Sequence, residues 1–430
     1  MSKYESQFSI LSEVGTIARG KSKHRPRNDP SLYGGDYPFI QTGDVKHSSL
    51  YITEYSQTYN ERGLAQSKLW KPGTLCITIA ANIADTAILS FLACFPDSII
   101  GFIPDPEKSD VRFIKYCLDT YKLQIQSISR GTTQDNLSVE KLLSIKLKLP
   151  PPPTQRKIAA VLSAYDDLIE NNTRRIALLE KIAEEIYREW FVRLRFPGYE
   201  QVTFDEGIPE GWETIQLGNI VEDIIDYRGI TPKKLNSDWQ EEGISALSAL
   251  NVKKGKLIRL EDTKRVSEAL YEKWMRKKLD RLDVLITSEA PLGEVYILPE
   301  KAKYVLSQRL FAIRANPNKV EPFYLYYYLL CEMGQYELTS KATGSTVGGI
   351  RQALLKKVEI LNPDLVLQQR FSSIVEPMLE SIHKLWCRNN LLKQTRDRLL
   401  SRLISGKLSI EDLDIHFPPN MQDNTPEAQR

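Results

Sequence analysis

The chain has 430 residues, of which 42% are hydrophobic and 26% charged, with a net charge of +3. These values are ordinary for a globular protein of about two to four domains, and any basic surface for nucleic acid must be local. Five scattered cysteines without a CxxC exclude a disulfide framework. Four distant histidines show no zinc spacing, and a polar N-terminus with no long apolar run gives neither a signal peptide nor a membrane span, so a cytoplasmic location is expected.

In chain order, the first motif is Gly15-Thr-Ile-Ala-Arg-Gly20-Lys21-Ser22, which matches the phosphate-loop pattern GxxxxGK[ST]. Its surroundings do not fit. A phosphate loop needs a helix whose N-terminus faces the anion, and here Lys23-His24-Arg25-Pro26-Arg27-Asn28-Asp29-Pro30 follows, with two prolines and no apolar face. A basic loop is the preferred reading. Leu75–Ile79 alternates like a strand, and Asp110 is placed to cap a helix. After Gly131-Thr-Thr-Gln-Asp-Asn-Leu137, the prolines Pro150 to Pro153 give a stiff lead-in expected not to be helical. Steps of four and three then pick out Ile158, Leu162, Tyr165, Ile169, Asn172, Ile176, Leu179, Ala183, Ile186 and Trp190, the heptad pattern of a coiled coil.

Most of this plan then recurs. Val284–Thr287 is a second strand of the same kind, and Pro322 suits the first turn of a second helix. The stripe Tyr324, Tyr327, Tyr328 is expected to be core rather than a base-stacking platform. Gly344-Ser-Thr-Val-Gly-Gly-Ile350 lies 213 residues after Gly131–Leu137. The same offset relates Pro150 to Pro363, Gln155 to Gln368, and the first seam to Phe371, Val375, Met378, Ile382, Leu385, Asn389, Leu392, Arg396, Leu399 and Leu403. The chain is a duplicated pair of an α+β globular part and a long helix. The two long helices are expected to form an antiparallel intramolecular coiled coil, a pseudo-two-fold arrangement: with ends aligned Asn172 meets Asn389, both amides are satisfied, and the polar pair fixes register. A 33-residue helix is about 50 Å long. That spans roughly 14–15 base pairs of duplex, the scale of two half-sites with a fixed gap.

The doubled order, the run LPPPPTQRKIAAVLSAYDDLIENNTRRIALLEKI (149–182), GTTQDNLS (131–138) and GWETIQLGNIVEDI (211–224) together resemble the specificity subunits of type I restriction–modification systems. Three features depart from that pattern: Thr154-Gln155 stands where Glu-Gln is usual, LNPDLVLQQRF (361–371) is a degenerate second junction, and GSTVGGIR (344–351) lacks the glutamine. The resemblance implies target-recognition domains at 1–150 and 199–362, long helices at 151–198 and 363–410, and a disordered tail at 411–430. It implies no active site in this chain, which agrees with the absence of a (D/N)PP(Y/F/W) motif. The implied partners are double-stranded DNA, two adenine methyltransferase subunits using S-adenosylmethionine, and two endonuclease subunits using ATP and Mg²⁺. The alternatives are a specificity subunit of a type IIB-like or orphan methyltransferase complex, or a coiled-coil scaffold that binds no DNA.

On this reading Arg19, Lys21, Lys23, Arg25 and Arg27 are expected to neutralise phosphates, with Arg228, Lys233 and Lys234 in the matching loop of the second copy; a merely solvated basic loop is the competing account. Further DNA-facing expectations are Asn82, Asp85, Thr132, Thr133, Gln134 and Asn136 in the first copy. In the second they are Ser288, Glu289, Gln308, Arg309, Ser345, Thr346 and Arg351. Amide and guanidinium groups can read bases, whereas polar turn residues also bond their own backbone.

Overall fold

A computed structural model describes residues 7–129, 137–343, 348–418 and 421. It divides into two compact units, residues 1–174 with 387–430, and residues 175–386. The division falls inside both long helices, because each helix half packs with a globular head rather than standing as a separate layer.

In the first unit, a five-stranded sheet runs Gly15–Arg19, Ile99–Pro104, Leu75–Thr78, Thr86–Leu89, Tyr51–Ile52. A four-stranded sheet (Gln57–Tyr59, Tyr33–Phe39, Ala93–Cys94, Leu69–Trp70) sits beside it, and the head is closed by Gln7–Ser9 pairing antiparallel with Leu147–Leu149. Leu75–Thr78 is buried at all four positions, so it is a central strand covered on both faces and not a half-exposed one. The helix Val111–Ser129 covers the sheet. As expected, Asp110 caps it, its carboxylate accepting from the N–H groups of Arg112 (2.9 Å) and Phe113 (3.1 Å).

The second unit repeats this plan. Its four-stranded sheet runs Val221–Asp226, Leu310–Ala315, Val284–Thr287, Val295–Ile297, its three-stranded sheet Arg265–Val266, Ile244–Leu247, Val305–Leu306, and Glu213–Gln216 pairs with Glu359–Asn362 to close the head. The helix Pro322–Leu330 carries its proline in the first turn. Tyr324, Tyr327 and Tyr328 are core, as the periodicity predicts. The hydroxyls of Tyr324 and Tyr328 donate to the carbonyls of Leu361 and Glu359, and burial pushes the Tyr328 phenol up to about 12.

The first long helix spans Pro152–Tyr187 and runs on into one π-helical turn, Arg188–Val192; the second spans Leu365–Ile404 with Pro377 inside it. The expectation that Pro152 and Pro153 lie outside the helix is corrected. They occupy its first turn, where a missing N–H costs nothing, while the Pro151 carbonyl accepts from Thr154 and Gln155. In the first unit the N-terminal half of one helix packs on the C-terminal half of the other, so the pairing is antiparallel. There Asn172 Nδ2 donates to Asn389 Oδ1 at 2.9 Å, and Asn389 Nδ2 donates to the Ile169 carbonyl and Thr173 Oγ1. In the second unit Ala183 and Tyr187 pack with Phe371 and Val375.

The expectation of a disordered tail is also corrected for 411–418 and Met421. Ile410, Ile415, Phe417 and Met421 join the first core, and Lys157 Nζ donates to the carbonyls of Glu411 and Leu413. Their apolar side chains find a face at the start of the first long helix, which makes ordering favourable.

Candidate nucleic-acid interface

The GxxxxGK[ST] stretch does not form a phosphate loop. Its first five residues are a strand, and two N–H groups that would face phosphate are already used, Gly20 donating to the Ile99 carbonyl (2.8 Å) and Lys21 to the Phe95 carbonyl (3.0 Å). Both glycines are there for packing. A Cβ on Gly15 would overlap Phe102, and one on Gly20 the Pro96 carbonyl.

The side chains of this loop divide into two sets. Arg19, Lys21 and Lys23 are exposed. Arg25 and Arg27, also exposed, share Asp97 (3.7 and 2.5 Å), and Arg25 donates to the Ser22 and His24 carbonyls. Asp29 accepts from the Ser31 N–H and pairs with His24, and these bonds hold its carboxyl below the usual range.

The two heads share a hairpin frame that sequence reading did not identify. Thr78 and Thr287 each end a buried strand. Each hydroxyl donates to a carbonyl four residues on (Asn82, Pro291) and accepts the N–H seven residues on, from Asp85 at 3.0 Å and Glu294 at 2.9 Å. Within each loop lie left-handed residues, Ala81 (φ 61°) and Ala84 (φ 66°) in the first, Ala290 (φ 55°) and Gly293 (φ 86°) in the second. A helix glutamine holds each loop, Gln126 at the Ile83 carbonyl and Gln335 at Gly293. Non-glycine residues held in this region store strain that surrounding bonds must maintain.

On that frame the side chains differ. In the first head, Asn82 is half-buried and accepts from Lys46 (3.3 Å), while Asp85 pairs with Lys122 at 2.6 Å. In the second, Glu289 and Arg309 (φ 63°) pair at 3.2 Å and both remain about half exposed. Ser288 is buried instead of facing outward, bonded through its backbone to Arg309 and Ile350. Arg228 is likewise turned inward. It clamps Asp226 with two bonds (2.9 and 2.8 Å), lies 3.9 Å over the Phe311 ring and donates to the Ile350 carbonyl. Arg351, Gln308 and Lys233 are exposed, and Lys234 donates to the Gly229 carbonyl. Arg228, Ser288, Glu289, Arg309 and Arg351 are thus gathered around Ile350. Thr132, Thr133, Gln134, Asn136, Ser345 and Thr346 lie outside the described residues.

Two further groups emerged only in three dimensions. Gln155 and Gln368, aligned in sequence but given no role there, are buried clasps. Each amide donates to the proline carbonyl ahead of its helix (Pro150, Pro363) and accepts the N–H at the start of a head helix (Asp110, Glu321). The seam residue Arg396 has a buried partner in Asp166. Among the described residues there is no His, Cys, Asp or Glu cluster able to hold a metal, and no helix long and apolar enough to cross a membrane.

A family profile, the type I restriction modification DNA specificity domain, matches residues 3–181 and 209–394. Among curated proteins, the chain is 26% identical over 412 residues to the type I restriction enzyme MjaIX specificity subunit of Methanocaldococcus jannaschii, covering 94% of this chain and 93% of that one. It is 22% identical to the type I restriction enzyme HindI specificity subunit of Haemophilus influenzae, covering 92% and 98%. Among solved structures, the type I restriction-modification S subunit from M. genitalium matches at 15% identity with a TM-score of 0.62, covering 93% and 96% of the two chains, which supports the shared fold.

Proposed function

Because the chain belongs to the family of type I restriction–modification DNA specificity subunits, we propose that its two heads read the two halves of one bipartite, asymmetric DNA site. The observation that carries this is a repeated frame bearing different side chains. The Thr78 and Thr287 hairpins have the same hydrogen-bond plan, yet one presents Asn82 beside Lys46 and the other a Glu289–Arg309 pair. A duplication that keeps its scaffold and changes its loops suits two different half-sites.

In this reading the chain has no catalytic role. Two adenine methyltransferase subunits supply S-adenosylmethionine-dependent methylation, two endonuclease subunits supply ATP- and Mg²⁺-dependent cleavage, and the complex works in the cytoplasm. Exposed Arg19, Lys21 and Lys23 contact phosphates, which position the duplex without reading it. The test is to co-express the chain with its methyltransferase and map N6-methyladenine by single-molecule sequencing. One motif of two unlike halves with a fixed gap is expected. A folded complex that methylates no defined motif would sink the proposal.

A further inference from the structure

Asp166 lies on the first long helix with its side chain 2% exposed, and Arg396, on the second, is 21% exposed. The Asp166 carboxylate accepts from three groups. Arg396 Nη1 and Ser49 Oγ (3.2 Å) reach one oxygen, and the Tyr116 hydroxyl reaches the other. Arg396 also bonds Asp397 (2.8 Å) at the solvent edge. Burial disfavours charge on the guanidinium, but the Asp166 carboxylate outweighs it and keeps Arg396 protonated; burial, then the same carboxylate, raises the Tyr116 phenol well above its usual range, so it remains a donor.

The duplication supplies the comparison. Along the long helices, adding 213 carries Asp166 to Leu379 and subtracting it carries Arg396 to Ala183; in the head helices, whose starts Asp110 and Glu321 correspond, Tyr116 is matched by Tyr327. All three belong to the apolar core of the second unit. The fold therefore accepts Leu and Ala in place of the Asp166–Arg396 pair, beside a tyrosine in both units, and stability alone does not require the ion pair.

What the ion pair distinguishes is the partner helix. Asp166 meets position 396, which is equivalent to 183, and Asn172 meets 389, equivalent to 176. If the first helix paired in the same register with the first helix of another copy, Asp166 would face Ala183 and Asn172 would face Ile176. If two second helices paired, Arg396 would face Leu379 and Asn389 would face Leu385. Each like pairing buries charges and amides with no partner, and only the unlike pairing satisfies all of them.

We propose that the Tyr116–Asp166–Arg396 cluster, with the Asn172–Asn389 pair, is a pairing code that holds the two unlike helices of one chain together and rejects a second copy of this chain. Its consequence rests on the function proposed above: like pairing would unite two identical heads and read a symmetric site.

The test uses the full chain in two tagged forms, co-expressed and purified through both tags in turn. Asp166→Leu and Arg396→Ala together install the second unit's residues beside the retained tyrosine, and Asn172→Leu with Asn389→Leu removes the remaining polar pair. The four-fold variant is expected to give a several-fold rise in doubly tagged complex over the parent chain, with the two-fold variant between them. No rise in a variant with parental helicity overturns the proposal. So does a two-fold variant that fails to fold, since the cluster would then serve stability and not partner choice. Methylation mapping of the exchanging variant is expected to add motifs that repeat one half-site. Exchange without such motifs counts against the two-half-site reading and leaves the pairing code standing.

Discussion

At the scale of single residues, charge neutralisation within the protein decides which cations remain for DNA. All five cations are exposed, but Arg25 and Arg27 share Asp97 as a partner. Replacing Arg19, Lys21 and Lys23 by alanine is expected to reduce the slope of log affinity against log salt by about 0.9 for each phosphate no longer neutralised. Replacing Arg25 and Arg27 should change it less. Anisotropy titrations over a salt series measure both, and an unchanged slope in the first variant would argue against phosphate binding by these side chains. Neither variant should alter nucleotide binding, because Gly15–Arg19 is a strand and the Gly20 and Lys21 N–H groups are already bonded to carbonyls. The glutamine clasps make a second residue-scale prediction. Gln155→Ala or Gln368→Ala leaves a helix-start N–H and a proline carbonyl unsatisfied in a buried place, a loss of about 1–3 kcal/mol. Urea unfolding curves that coincide with the parent would refute it.

At the scale of elements, the heptad pattern located the long helices, because a 3.5-residue apolar repeat over this length has few other solutions, and the two seam asparagines gave the antiparallel partnership, because only that pairing sets one amide against the other. The pattern did not find Asp166, which lies one position past the seam residue Tyr165 and reads in sequence as one of many surface carboxylates. Arg396→Ala alone should cost about 3–5 kcal/mol, since it strands a buried carboxylate, and Asp166→Leu with Arg396→Ala should recover much of that loss. Thermal unfolding of the two variants separates these outcomes. For the amide pair, Asn172→Leu with Asn389→Leu should preserve helicity by circular dichroism but allow disulfide cross-links in more than one register across the seam. A single cross-linked register, as in the parent, would mean the amides do not set it.

At the scale of the whole molecule, two heads with one frame and different loops predict that specificity divides. Glu289→Ala with Arg309→Ala is expected to relax or change one half of the methylated motif and leave the other half and the gap intact, since this half-exposed charged pair, of a kind able to read guanine or cytosine, belongs to the second head. Methylation mapping reads this directly. A change in both halves, or in neither, would show that this pair does not read bases.

The sequence by itself determined the duplication, the α+β character of each head, the two long helices and the family, because these follow from periodicity, spacing and junction motifs that survive divergence. Helix signals such as Asp110 and Pro322 were legible for the same reason: a cap acts within four residues of chain. Tertiary structure alone decided which polar residues are spent inside the protein. Arg228 and Asp85 found carboxylate and lysine partners, Ser288 was covered by the strand and segment around Arg309 and Ile350, and Asp166 met Arg396 across 230 residues of chain. Partner choice at such distances depends on desolvation and on side chains brought together only by folding, so no local pattern in the sequence records it.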